Sequence, residues 1–264
     1  MSAALILRST DSEAEIESVG FRCASLVIRG RQVLGAVGMG VEFPWVGAQP
    51  ARPARLMLRD QAVAIGGGRV SLTWRMTGLA TAETRTMPGD GYPFAVRLDA
   101  TWLLDDEGLR LTLAVVNESR AHAPFGVGVR VALAPVAEQV ELLVPAEEVW
   151  PASGDGPPVP VRGDLDLRRP RPLAQPIKAR FTRRHFANLQ TQLAVLSRGR
   201  EVWLTTSADF READMRIQPD GSGVLESATC VPDAFARHAA GVATGLRVLA
   251  PGEVWRGHAL LVTR

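Results

Sequence analysis

Two charged residues stand in segments that otherwise have the composition of β-strands. Arg130 follows two glycines in the apolar run HAPFGVGVRVAL, residues 122–133, and Glu226 lies within VLESATC. A glycine inside a strand usually marks a bulge or a close approach to the backbone. A charge in an apolar strand requires a partner or a function. These two positions are therefore the first candidates for a functional site.

The two charges are suited to different chemistry. A glutamate in a half-buried cleft has its pKa raised by desolvation, which makes it a better base near neutral pH. The Arg130 guanidinium does not release a proton at pH 7, but its rigid donors suit a carboxylate, a phosphate or an enolate. His185 shares strand parity with Arg183 in RFTRRHF and could supply a proton. Simpler interpretations stay open: a salt bridge between Arg130 and Glu226, and a solvated His185.

Alternation of apolar and polar residues predicts the strands that must position these groups. Residues 94–104 and 109–117 are apolar at every second position, and the DDEG link between them predicts a β-hairpin. Residues 192–197 and 201–207 form a second such pair around an RGR turn. No ten-residue amphipathic helix stands out. We therefore expect an all-β chain folded as a large antiparallel β-sandwich.

Length and composition favour one globular domain over residues 1–264. Sandwiches of roughly 200–250 residues commonly fold as a single unit. Apolar residues make up 46% of the chain and charged residues 22%, which indicates a globular protein. Residues 145–176 are rich in proline and glycine and predict a long loop. The net charge is +2 and the arginines are scattered among acids, so we expect no nucleic-acid partner.

Cysteine content and hydropathy argue against several further classes of protein. Cys23 and Cys230 are too few for a disulfide-dense scaffold or a CxxC metal site, although a single bridge remains open. The N-terminus lacks the apolar core of a signal peptide, and no run reaches the roughly 20 apolar residues of a membrane span. We expect a cytoplasmic protein with a small-molecule substrate, no metal and no other cofactor. The oligomeric state is left open.

Four segments, in order along the chain, resemble motifs of the aldose 1-epimerase (galactose mutarotase-like) superfamily. They are FPWVG (43–47), a block from DGYPF to RVAL (90–133), VLESATCVPDAFA (224–236) and LRVLAPGE (246–253). The resemblance implies a β-supersandwich with an open cleft and a sugar or sugar-like ligand. In that family a histidine acts as acid on the ring oxygen and a glutamate as base on the anomeric hydroxyl. Another histidine, an aspartate and an arginine bind the sugar.

The resemblance carries over to this chain only in part. The family's glutamate matches Glu226, but its acid histidine falls on Arg130. The family's arginine after PWAG is Ala48 here, and the best match to its aspartate is Arg183. Its H-G-F segment has no counterpart. The family's acid is therefore missing from its usual position.

Two tryptophans are candidates to line the cleft of such a fold. Trp45 lies in the FPW motif, and Trp150 stands at the start of the long loop. Aromatic platforms of this kind suit sugar rings and hydrophobic ligands. With Arg183, they are the predicted substrate-binding residues.

The residues that remain favour proton abstraction next to a carbonyl, as in a dehydratase (lyase) or an isomerase acting on a small or specialised metabolite. Glu226 would be the base, Arg130 would stabilise the oxyanion, and His185 would be an optional acid. One alternative is a sugar 1-epimerase with a shifted acid, acting on an acidic or phosphorylated sugar held by Arg130 and Arg183. Another is a non-catalytic carbohydrate-binding protein that kept the cleft.

Overall fold

Strands dominate the computed structural model of the chain, which describes residues 4–17, 22–44, 46, 63–65, 69–76, 92–105, 107–136, 139–151, 156–182, 191–239 and 241–264. Within these residues the elements are β1 (Ala4–Arg8), β2 (Ser12–Glu17), β3 (Arg22–Ile28), β4 (Arg31–Gln32), β5 (Leu34–Glu42), β6 (Val63–Ile65), β7 (Arg69–Met76), β8 (Val96–Leu104), β9 (Gly108–Asn117), β10 (Ala123–Phe125), β11 (Gly128–Leu133), β12 (Glu141–Leu143), β13 (Glu148–Val149), β14 (Val159–Pro160), β15 (Arg171–Pro172), β16 (Ile177–Thr182), β17 (Thr191–Ser197), β18 (Arg200–Thr206), β19 (Glu212–Ile217), β20 (Gly223–Ala228), α1 (Ala234–Ala239), β21 (Arg247–Leu249) and β22 (Val254–Thr263). A 3₁₀ turn covers Gly163–Leu165.

Most of these strands belong to two antiparallel sheets. The large sheet has the order β1-β2-β3-β5-β11-β20-β19-β16-β13-β14, with β4 beside β3. The second sheet has the order β15-β12-β17-β18-β22-β9-β8-β7-β6, and β10 pairs separately with β21. The predicted all-β, antiparallel sandwich is confirmed.

Both predicted hairpins are present. β8 and β9 pair in the register Leu104↔Leu109, across the acidic link, and β17 pairs with β18 in the register Ser197↔Arg200. Asp105 stabilises the first turn, because its Oδ1 accepts hydrogen bonds from the backbone N–H groups of the last two turn residues at 2.9 and 3.1 Å. The alternating pattern is a reliable signal here because each strand has its partner close by in sequence.

The core lies between the inner faces of the two sheets. Leu98, Trp102 and Leu111 of the second sheet are buried, as are Phe181 and Met215 of the large sheet. Burying a side chain of this size contributes roughly 1.5–3 kcal/mol to folding. The period-two pattern therefore dictates which face of each strand is left for polar groups.

The proline- and glycine-rich segment predicted as a loop is partly regular. β13 pairs with β16 and with β14, and β15 pairs with β12. Within the described part of residues 145–176, β13 and β14 thus extend one edge of the large sheet, and β15 extends one edge of the second sheet. Sequence periodicity does not reveal strands of two residues, because they contain no full alternation.

Both cysteines are free and buried, so the bridge that the sequence left open does not form. Burial raises the pKa of Cys23 and of Cys230 to about 12. Among the described residues, no helix is long and apolar enough to cross a membrane.

Candidate functional site

A row of four charged side chains crosses the middle of the large sheet. Arg130 on β11, Glu226 on β20, Asp214 on β19 and Arg180 on β16 are consecutive Cα partners. Side chains in such pairs have their Cβ atoms about 4.5–5.5 Å apart. The residues next to them in each strand, such as Val129, point into the core. The four charges therefore share the outer face, and we call them the charged row.

Each arginine of the charged row has a carboxylate partner other than Glu226. Arg130 Nη1 lies 3.4 Å from Glu42 Oε1, and Arg180 Nη2 lies 2.9 Å from Asp214 Oδ2. Within the described part of the chain, the Glu226 carboxylate makes no hydrogen bond and no ion pair. The salt bridge between Arg130 and Glu226 that the sequence left open is therefore replaced by a pair with Glu42.

The environment of Glu226 favours its protonated form. The residue is only 6% exposed. Burial, and then the negative charges of Glu42 and Asp214, raise the pKa of Glu226 to about 7, against the lowering effect of Arg130 and Arg180. A carboxyl with this pKa is present in both forms at neutral pH, so it can accept a proton and return it.

Arg130 retains donors for an anion. Its side chain is 38% exposed. Its Nε atom is buried and has no hydrogen-bond partner. On the other side of Arg130, the Cα partner in β5 is Gly40, where an added Cβ would meet no atom within 4 Å. A buried, unpaired donor is costly, and an anionic ligand would satisfy it.

A second row lies two residues further along the same strands. In order across the sheet it contains Glu42, Gly128, Ala228, Glu212 and Thr182. We call it the neighbouring row. Because side chains alternate along a strand, it shares the outer face with the charged row.

Glu212, in the neighbouring row, is a second buried carboxyl. Thr182 Oγ1 lies 2.5 Å from its Oε1, and Trp150 Nε1 donates a hydrogen bond to its Oε2 at 3.1 Å. Burial raises the pKa of Glu212 to about 7, with a further increase from Glu148, although both hydrogen bonds and Arg180 lower it.

Of the two glycines in HAPFGVGVRVAL, Gly126 allows a close approach, which is one of the two explanations that the sequence left open. A Cβ at Gly126 would overlap the Cys230 sulfur. A Cβ at Gly128 would lie 3.4 Å from the Cβ of Glu42 and 3.5 Å from Val46. The contacts at Gly128 are ordinary van der Waals distances, so it is the absence of a side chain at Gly126 that lets the segments carrying Val46 and Cys230 pack closely.

The segments that carry the family resemblance meet beside the site. The Phe43 and Phe125 rings lie 6.1 Å apart, and the Tyr92 and Phe235 rings lie 6.3 Å apart. The Tyr92 hydroxyl donates a hydrogen bond of 2.7 Å to the Pro124 carbonyl. Motifs that are far apart in sequence thus form one structural support for the strands that carry Arg130 and Glu226.

The structure brings together some of the predicted site residues. Glu226 and Arg130 are direct neighbours. Trp150 reaches the site through its hydrogen bond to Glu212, and the guanidinium carbon of Arg237 lies 5.3 Å from the centroid of its ring. Trp45, Arg183 and His185 lie outside the described residues, so their roles stay predictions.

The other three histidines do not belong to the charged row. His122 precedes β10, His238 lies in α1, and His258 lies on β22 of the second sheet. Burial lowers the pKa of His258, with a contribution from Arg110. Within the described residues, no group of three or more metal-ligating side chains could hold a metal ion.

Sequence reasoning missed four polar residues of the site. They are Glu42, Arg180, Glu212 and Asp214. The segment EADMRI alternates polar and apolar residues, which indicates one polar strand face. Such alternation is also typical of a solvated face, so it could not reveal that these side chains lie beside Glu226.

Several solved structures share the fold of the chain. A galactose mutarotase-like protein from Clostridium acetobutylicum matches with a TM-score of 0.76 at 15% identity, over 100% of this chain and 95% of that protein. The chain has the galactose mutarotase-like fold. A second galactose mutarotase-like protein, from Lactobacillus casei, gives a TM-score of 0.75 at 16% identity, over 99% and 100%. A galactose 1-epimerase from Lactobacillus acidophilus gives 0.68 at 14% identity, over 99% and 94%.

These matches confirm the fold that the resemblance of the sequence motifs implies. No protein-family model matches the chain, and no curated protein matches it in sequence. At 14–16% identity, the backbone is shared while most side chains differ. The shared fold therefore does not determine which side chains of this chain could carry out chemistry.

Proposed function

We propose that the chain is a sugar-processing enzyme that removes a proton from the carbon next to a carbonyl group. Glu226 is the base, and Arg130 binds the oxyanion that forms. One observation carries the proposal: a buried carboxyl, without an ion-pair partner among the described residues, stands directly opposite an arginine with an unpaired buried donor. A carboxyl with a pKa of about 7 is matched to proton transfer at neutral pH.

The proposed reaction begins with proton transfer to the Glu226 carboxylate. The electron pair of the broken C–H bond moves to the carbonyl oxygen, which becomes an enolate oxygen. Arg130 donates hydrogen bonds to this oxygen, and a fixed donor at a developing charge lowers the barrier. Return of the proton to carbon gives an isomer. Loss of the hydroxyl from the next carbon gives a dehydrated product and water.

A sugar 1-epimerase is the second candidate. The galactose 1-epimerase from Lactobacillus acidophilus shares the fold, which favours an aldose as substrate. Mutarotation needs an acid at the ring oxygen and a base at the anomeric hydroxyl. Glu226 could be that base, but Arg130 holds its proton too strongly to be the acid. An acid from elsewhere in the chain, such as His185, would then be required.

The experiment uses D-galactose and D-glucose, whose open-chain forms carry a C2 proton next to an aldehyde. We expect NMR in D₂O to show deuterium uptake at C2 with the wild-type protein and at least a 100-fold loss in E226Q. E201Q is the matched control, because Glu201 accepts a hydrogen bond from Trp203 Nε1 at 2.7 Å in the second sheet.

The same samples separate the candidates. Faster anomer interconversion in polarimetry, without deuterium uptake or a new product, would favour the epimerase. Sugar binding that is the same in wild type and E226Q, with no turnover, would indicate a binding protein and contradict the proposal.

A further inference from the structure

Glu212 is a buried carboxyl that the proposed steps do not use. It stands opposite Ala228, and Glu226 lies two residues before Ala228 in the same strand. Such diagonal neighbours have Cα atoms about 7–8 Å apart on one face of a sheet. The alanine between the two carboxyls has the smallest side chain that carries a Cβ. Glu212 and Glu226 are therefore placed to act on two neighbouring atoms of one small molecule.

The hydrogen bonds of Glu212 determine where its proton lies in the neutral form. Trp150 Nε1 can only donate, so Oε2 must remain an acceptor. A threonine hydroxyl both donates and accepts, so the contact of 2.5 Å at Oε1 suits either form of the acid. The proton of neutral Glu212 is thus held on Oε1.

The charged groups near Glu212 form no ion pair with it among the described residues. Arg180 on β16 has its ion pair with Asp214 instead. The other ionisable groups nearby are Glu148 on β13, the Cys230 thiol and Arg237, which stacks on Trp150. Within the described residues Glu212 forms no ion pair. Burial therefore dominates and favours the neutral, proton-carrying form.

We propose that Glu212 is the proton donor of this site, so that the reaction uses two carboxyl groups, Glu226 as base and Glu212 as acid. The inference rests on the proposed function. It assigns the general acid of the reaction, a role that Arg130 cannot fill. The substrate class is a carbonyl compound with a hydroxyl on the second carbon from the carbonyl, such as an open-chain aldose.

The proposed elimination removes a proton from C2 and a hydroxyl group from C3. Glu226 takes the C2 proton, and the C–H electron pair forms the enolate that Arg130 binds. The carbonyl group re-forms as the bond from C3 to its hydroxyl oxygen breaks with that electron pair. Glu212 gives its Oε1 proton to the departing oxygen, which leaves as water. Glu226 then loses its proton and Glu212 regains one through solvent.

The test separates the two proton transfers. D-galactose in D₂O is followed by NMR for deuterium at C2, and the 3-deoxy dicarbonyl product is trapped with o-phenylenediamine. We expect E212Q to keep C2 exchange within about threefold of wild type and to lose product formation at least 100-fold. E226Q should lose both, and E201Q should keep both.

A second variant tests the donor role against a structural one. Replacing Trp150 with phenylalanine removes a donor that stabilises ionised Glu212, so the pKa of Glu212 rises. We expect the alkaline limb of the pH profile for product formation to move up by about one pH unit. A structural role for Glu212 would lower activity without moving this limb.

Each remaining outcome decides between the two proposals. Undiminished product formation by E212Q, or an alkaline limb that W150F does not move, overturns the donor role and leaves the base role of Glu226 intact. Loss of both exchange and product in E212Q shows that Glu212 supports the site without donating the proton. A wild-type protein that neither exchanges C2 nor forms product overturns the proposed function, and the donor role with it.

Discussion

The environment of Glu226 predicts a stability difference between wild type and E226Q that depends on pH. Glutamine keeps the shape of the side chain and removes its ionisation. Burial with two negative neighbours raises the pKa of this 6% exposed carboxyl from 4.5 to about 7. Each pH unit between the folded and unfolded pKa corresponds to about 1.36 kcal/mol. Ionised Glu226 should therefore cost the folded protein roughly 3 kcal/mol.

The direction of the stability change with pH depends on whether the folded or the unfolded chain holds the Glu226 proton more strongly. Between pH 4.5 and 7 the unfolded chain has released the Glu226 proton that the folded chain retains, so wild-type stability falls as pH rises through this range. E226Q does not lose stability in this way, because glutamine does not ionise. We expect the free energy of unfolding of E226Q, relative to wild type, to gain up to about 3 kcal/mol across this range. Glu212 titrates in both proteins, so its contribution largely cancels in the difference.

Urea denaturation at a series of pH values, followed by tryptophan fluorescence, measures this difference. E201Q reports the effect of a Glu-to-Gln change away from the charged row. A difference between wild type and E226Q that is constant with pH would refute the raised pKa. If E226Q instead lost stability relative to wild type as pH rose, Glu226 would be ion-paired in solution, and the salt bridge with Arg130 would be the correct interpretation.

Three further predictions concern the charged row, the packing at Gly126 and the core. D214N removes a negative charge that raises the pKa of Glu226, so the pH range of the stability difference should move to lower pH; an unchanged range would contradict this. G126A should cost about 1–3 kcal/mol in urea denaturation because the new Cβ overlaps the Cys230 sulfur. C230A in the same chain should recover part of that cost, whereas equal costs in both backgrounds would argue against the overlap. L111A should cost about 2–5 kcal/mol, measured in the same way, because Leu111 is fully buried.

Local patterns were sufficient to predict the class of fold. In residues 94–117, alternation and an acidic link with glycine predict a hairpin because the interacting strands are neighbours in sequence. The two-residue strands β13, β14 and β15 could not be predicted, because two residues contain no full alternation of apolar and polar side chains. Their conformation follows from the sheet edges on which they pack.

The site could be predicted only in part. Arg130 was identifiable as a charge in an apolar strand, and Glu226 through its match to the glutamate of the resembling family. Glu42, Asp214 and Glu212 were not, because ordinary polar strand faces contain the same residues. A shift of one residue in strand register would turn any of these side chains to the other face. Register between distant strands is determined by packing of the whole sandwich.

The sequence by itself determined that the chain is an all-β sandwich and that Arg130 stands where the resembling family has an acid. The fold class follows from periodicity, which is local in the sequence, and the position of Arg130 follows from the resemblance of the sequence motifs to that family. Only the tertiary structure decided that Arg130 pairs with Glu42, that Glu226 is left as an unpaired buried carboxyl within the described residues, and that Glu212 lies beside it. Ion pairing and desolvation depend on distances across strands, which arise only when distant segments pack into one sheet.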